Sequence, residues 1–88
     1  MRYTIEVSVR AERDLAAISP RYAAAVVAFI LGPLADNPHR VGKPLSRELE
    51  GMHSARRGDY RVLYEIHDGA HLVLVSRVDH RSRVYRAR

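Results

Sequence analysis

The sequence predicts a single small α+β domain spanning residues 1–88: a first strand, a two-helix hairpin, then a three-stranded antiparallel meander and a short C-terminal helical tail. Three observations carry this prediction. Residues 3–9 and 60–67 alternate apolar and polar side chains with a period of two, as half-buried strands do. Residues 10–34 instead repeat their apolar side chains at helical spacing. Asp68–Gly69 divides two apolar runs and is a strong hairpin signal.

The elements follow in order. In "YTIEVSV", Ile5, Val7 and Val9 alternate with Glu6 and Ser8, which gives the first strand. In "RAERDLAAI", Ala11, Leu15 and Ile18 share a helical face, and Ser8 is available as its cap. Ser19 is then available to cap a second helix with Pro20 at its first position. That helix carries an apolar stripe from Ala23 through Val26, Val27, Ile30 and Leu31 to Leu34. Pro33 cannot donate to the carbonyl of Phe29, so a kink or a tightened last turn is expected there. "DNP" (Asp36 to Pro38) ends the element.

Residues 39–52 have no clean period and read mostly as loop, with a short turn around Leu45 to Leu49. The meander begins with a strand over roughly His53 to Arg57. Gly58 and Asp59 turn the chain into a second strand, Tyr60 to His67. The run from His71 to Val78 is apolar on both faces, hence central in the sheet. Alternation sends Tyr60, Val62, Tyr64 and Ile66 toward the helices, and Arg61, Leu63 and Glu65 to the open face.

Composition removes several classes of function. The chain has no cysteine, which excludes a disulfide-stapled scaffold and a thiolate metal site. "MRYTIEVSVR" is neither a signal peptide nor a membrane span, so a cytoplasmic protein with no membrane partner is expected. The formal charge is +5 at pH 7. Through Pro38 four arginines balance four carboxylates; from His39 onward Lys43 and ten arginines face six. A one-sided basic surface is the footprint of a polyanion, and would equally suit an acidic protein. Lys43 is the only lysine. Codon bias explains that preference, and so does phosphate recognition by guanidinium groups.

No phosphate-binding glycine loop is present. His39, His53, His67, His71 and His80 lack metal-ligand spacing. "RGD" (Arg57 to Asp59) falls at a turn between strands and carries no weight. What remains is a constellation: Arg56, Arg57 and Arg61 from one hairpin, and His80, Arg81, Arg83 and Tyr85 from the tail. Singly, each reads as a solvated or packing residue. An antiparallel neighbour would bring Arg61 and Arg81 together with Tyr85 nearby. Fixed positive charge beside a phenol suits phosphodiester chemistry, because the phosphorane transition state is doubly negative.

"LEGMHSARRGDYRVLYEIHDG" followed by "VDHRSRVYR" resembles the RelE superfamily of bacterial toxins, over nearly the whole chain and in the same element order. The resemblance implies the toxin of a type II toxin–antitoxin pair, a metal-independent endoribonuclease that needs no cofactor. Such a toxin enters the ribosomal A site on the small subunit and cuts mRNA there by attack of the RNA's own 2′-hydroxyl. Arg61 would stabilise the phosphorane, Arg81 would bind phosphate beside the leaving oxygen, and Tyr85 would orient or deprotonate the 2′-hydroxyl. The sequence departs from the family pattern where that pattern has two lysines before the strand arginine; Met52 or His53 and Ser54 or Ala55 stand there. Arg56 and Arg57 are candidates to replace that charge, and His53 to take proton-transfer work. With Lys43 and Arg83 these complete the expected RNA-binding set. The base is then Tyr85 by family position, or His80 because imidazole titrates near neutrality. The implied partner is an acidic antitoxin, RelB-like or of another family, in a hetero-oligomer. Two other readings compete: a ParE-like poison of DNA gyrase on the same fold, and a non-catalytic basic module that binds RNA or protein.

Overall fold

The computed structural model describes residues 2–80. Its frame is one five-stranded sheet with helices on one face. The strands are β1 (Thr4–Val7), β2 (Gly42–Pro44), β3 (His53–Arg57), β4 (Tyr60–His67) and β5 (Leu72–His80). Their spatial order is β1-β5-β4-β3-β2. Only β1 and β5 pair in parallel; the other neighbours are antiparallel. The helices are α1 (Val9–Ala16), α2 (Pro20–Phe29) and α3 (Pro38–Val41). None of the described helices is long and apolar enough to cross a membrane.

The core forms between α2 and the inner face of β4 and β5. Val26, Ile30 and Leu34 recur every four residues and meet Val62, Tyr64, Val73, Val75 and Val78. The expected apolar stripe is therefore split: Val27 and Leu31 stay exposed. At Pro33 the helix neither tightens nor stops. It widens into a π turn over Ile30–Leu34, which takes up the missing donor and still buries Ile30 and Leu34. Ser8 caps α1 as expected, its Oγ accepting from the Ala11 amide at 3.0 Å.

Two features of the sheet were not anticipated. Residues 39–44, expected to be part of a loop, instead complete α3 and form edge strand β2. Gly42 makes that pairing feasible by close approach. A Cβ there would collide with the Tyr64 hydroxyl and the Ser54 carbonyl. The second feature is a bulge in β5. Leu63 pairs with Arg77 but Tyr64 pairs with Val75, so Ser76 is an extra residue. Below the bulge Val73 and Val75 point inward; above it Val78 and His80 do. β1 pairs only with Leu72 to Val75, and α1 takes over the edge beyond. The Ser8 Oγ donates to the Ser76 carbonyl at 2.8 Å, and Asp14 Oδ2 accepts from the Val78 amide at 2.9 Å.

The two hairpins differ. Arg57 pairs with Tyr60, leaving Gly58–Asp59 as a two-residue turn, with a positive φ of 63° at Gly58. At Asp68–Gly69 the turn is longer than the dipeptide suggests. His67 pairs with Leu72, a 3₁₀ turn spans Asp68–Ala70, and His71 takes the positive φ of 54°.

Candidate functional site

Strand alternation sorts the candidate residues onto two faces at one end of the sheet. On the face away from the described helices Arg56, Arg61 and Asp79 are direct cross-strand neighbours on β3, β4 and β5. Arg77 lies two residues before Asp79 on that face, with its Nη2 2.5 Å from Asp79 Oδ2. Lys43, on β2, is exposed one strand further out, opposite Ser54. Arg56 is exposed, and its Nε reaches the Gly58 carbonyl at 3.4 Å. Arg61 is half-buried, and its Nε is shielded from solvent.

This is an unusual arrangement for a strand pair. Two arginines stand directly opposite each other, a placement that costs stability in β ladders. Asp79 offsets part of that cost. It is 5 % exposed, and its carboxylate pairs with the Arg77 guanidinium on the same face as Arg61. The pair with Arg77 is a charge contact: Oδ2 has no well-aligned hydrogen-bond donor among the described residues. Leu63, expected to be wet, is buried on this face between Ser54 and Arg77. The aliphatic stem of an arginine readily covers such a side chain.

The inward-facing row at the same end is Arg57, Tyr60 and His80. His80 meets the Tyr60 ring edge-on at 5.4 Å, and Tyr22 of α2 lies 6.2 Å from Tyr60. Arg57 and His80 thus lie on the face opposite Arg61. Adjacent positions 56 and 57 take different sides, as period-two geometry requires. His53 is also inward. It stacks on Tyr64 at 5.5 Å, and partial burial, then the nearby His39, lowers its pKa. It lies on the face opposite Arg61. Arg81, Arg83 and Tyr85 lie outside the described residues.

The opposite end of the sheet carries a second polar cluster. Tyr3 donates to Asp68 Oδ1 at 2.6 Å, and His39 Nε2 lies 3.0 Å from the same oxygen. Tyr3 also stacks on His71 at 4.0 Å. The hydrogen bond from Tyr3, then that from His39, holds the Asp68 carboxyl below its usual range, while the Tyr3 phenol is raised. These contacts account for the longer β4–β5 turn: they hold Asp68 and His71 in place. Among the described residues no group of three or more His, Asp or Glu side chains is arranged to hold a metal ion.

Arg77 and Asp79 were not singled out in the sequence, because residues 71–78 read as apolar on both faces and the expected strand stopped one residue short of Asp79. The signal that could have found them is their spacing: charged residues at i and i+2 in a strand share one face. Tyr60 read only as a core residue, and Tyr22 was not singled out.

The chain is similar to known proteins over nearly its whole length. The family model for the ParE toxin of type II toxin–antitoxin system, parDE, matches residues 5–85. Two curated relatives come from Mycobacterium tuberculosis. "Toxin RelE" is 52 % identical over 84 residues, covering 96 % of this chain and 87 % of that one. "Toxin RelG" is 54 % identical over 86 residues, covering 98 % and 99 %. The crystal structure of the toxin–antitoxin complex RelBE2 from the same organism superposes with a TM-score of 0.90 at 52 % identity. It covers 93 % of this chain and 94 % of that one.

Proposed function

The chain belongs to the RelE superfamily of toxins, and on that premise we propose that it cuts mRNA in the ribosomal A site and is silenced by an antitoxin. The observation that carries the reading is the opposed pair Arg56–Arg61 beside buried Asp79. Like charges facing each other across a ladder are unfavourable unless a ligand of opposite charge settles between them. A phosphodiester is such a ligand.

In this mechanism the RNA supplies its own nucleophile. The 2′-hydroxyl attacks the adjacent phosphorus, the 5′-oxygen leaves, and a 2′,3′-cyclic phosphate remains. Arg61, held half-buried, keeps its guanidinium in an environment less watery than bulk solvent. There a fixed positive charge stabilises the dianionic phosphorane more strongly. Asp79 positions the group: with Arg77 it forms a charged floor from which the Arg61 side chain rises. Arg56 and Lys43, both exposed, grip flanking phosphates. A guanidinium retains its proton at any physiological pH, so Arg61 acts by charge and not by proton transfer. His80 and His53 face the other way. Tyr85 therefore remains the proposed base, with Arg81 as the second phosphate ligand.

The antitoxin would be acidic, and its carboxylates would occupy this face in place of phosphate. Its partner in turn would be found in the cytoplasm, where ribosomes are. The alternative activity on this fold, gyrase poisoning, draws support from the name of the matching family model. The relatives at 52 % and 54 % identity, both named as Rel toxins, weigh against it.

Reconstituted translation tests the proposal. Primer extension on mRNA programmed into ribosomes should show A-site cuts with the wild-type protein. Arg61→Ala should lower the cutting rate by about 10²–10³-fold, the range for loss of one transition-state charge donor. Equal cutting by both proteins would remove Arg61 from the mechanism. Double-strand DNA breaks with intact mRNA would replace the nuclease with a gyrase poison.

A further inference from the structure

The inward row at the end of the sheet borders a cleft that the cleavage mechanism does not use. Arg57, Tyr60 and His80 line it from the sheet, and Tyr22 lines it from α2; its volume is about 410 Å³. A second hollow of about 440 Å³ shares Tyr22, Tyr60 and His80 as its wall and extends toward Ser19. Tyr22 is 53 % exposed although it is a large aromatic residue. Its ring carries the Arg21 guanidinium 6.0 Å from the centroid. Three flat rings and the Arg57 guanidinium thus line one opening, with Arg21 over the exposed Tyr22 ring, on a chain of formal charge +5.

We propose that this cleft binds one unstacked base of the RNA, a nucleotide flanking the one that is cut. The inference rests on the nuclease reading and adds a second contact on the opposite face of the sheet. Three arguments select a base. Tyr22 and Tyr60 lie at a tilt of 41°, which leaves neither ring face-stacked on the other. A base has a π face for such rings, and guanidinium groups stack on it as well. Asp59 at the rim and Asp14 in the adjoining hollow make the opening poor for phosphate, but tolerable for a neutral base. Finally, Arg56 and Arg57 are consecutive residues on opposite faces. A strand of RNA crossing the β3–β4 turn can place a phosphate on the first and a base beside the second.

The test uses mRNA programmed into ribosomes, with 2′-O-methyl groups at the A-site nucleotides to remove the nucleophile. A 4-thiouridine is placed at one position at a time, and photo-crosslinks to the full-length toxin are mapped by mass spectrometry. One flanking position should crosslink to the Tyr22 or Tyr60 peptide. Tyr22→Ala should abolish that crosslink and raise KM on unmodified mRNA about tenfold, with kcat little changed. Arg57→Gln should act in the same direction. Arg61→Ala should do the reverse, lowering kcat and keeping the crosslink. Crosslinks confined to the Arg56–Arg61 face, or an unchanged KM in both cleft variants, would overturn the proposal. So would protection of Tyr22 by an antitoxin peptide with no RNA crosslink, which would assign the cleft to protein. If the wild-type toxin leaves unmodified mRNA intact, the nuclease reading fails by itself. The crosslink to Tyr22 or Tyr60 then still decides the cleft, its presence upholding base binding and its absence ending it.

Discussion

Tyr64 shows how much one residue can hold together. It is fully buried at the centre of β4, and its hydroxyl donates to the Pro38 carbonyl at 2.7 Å. That bond joins α3 to the sheet, and the ring closes over Gly42 on the far strand. Burial pushes the phenol pKa up to about 12. A raised folded-state value means that the stabilising contribution is complete below pH 10, where an unfolded tyrosine begins to ionise. It is lost as pH rises from there toward 12. Tyr64→Phe should cost about 1–3 kcal/mol at neutral pH, because the Pro38 carbonyl loses its donor in a buried site. The same variant should lose less stability than wild type between pH 10 and 12. Urea denaturation at pH 7 and pH 10.5 measures both effects, and an equal alkaline loss in the two proteins would exclude Tyr64 as its source.

At the scale of elements, the sheet edge next to α1 is completed by side chains. β1 ends before β5 does, and Ser8 and Asp14 serve the groups a longer strand would have served. Ser8→Ala removes both a helix cap and a donor to Ser76, and should destabilise by about 1–2 kcal/mol. Glu12→Ala, on the exposed side of the same helix, should stay within about 0.5 kcal/mol. Chemical denaturation midpoints of the two variants give the comparison. The same contrast explains what could be read in advance. β3 and β4 were legible because each keeps a period of two over at least five residues. β2 was not, because "GKP" has no period and pairs only through the room Gly42 leaves beside Tyr64. The bulge at Ser76 was also hidden, since it depends on Ser8 and Asp14, more than sixty residues away in sequence. For the site, alternation was enough to set Arg61 on the open face. It did not disclose that Asp79 stands across from it, because that register exists only with the bulge.

The molecule as a whole divides its polar chemistry between two ends. Cationic and aromatic groups gather at the β3–β4 turn; three histidines, Tyr3 and Asp68 gather near the β4–β5 turn. This second cluster ties β1, α3 and the β4–β5 turn together, and it makes stability sensitive to acid. His53 has a lowered pKa in the fold, so the unfolded chain takes up a proton first and stability falls as pH drops through about 6.5. Asp68 has a lowered pKa as well. Its contribution is present above the unfolded carboxylate value and is lost as pH falls through the folded one. Melting temperatures should therefore decline in two steps, one near pH 6 and one below pH 4. Asp68→Asn should remove the lower step and leave the upper one. A single step in wild type, or two in the variant, would contradict this division.

The extra residue in β5 also makes the toxin robust in a particular way. Deleting Ser76 would make Leu63–Arg77 and Tyr64–Val75 successive rungs of an unbroken ladder. Arg77, Val78, Asp79 and His80 would then keep the faces they have now, as would Val73 and Val75. What would go is the carbonyl that Ser8 holds, and with it the local kink of the strand. One lost codon at this place would therefore leave the blade pointing the way it points today.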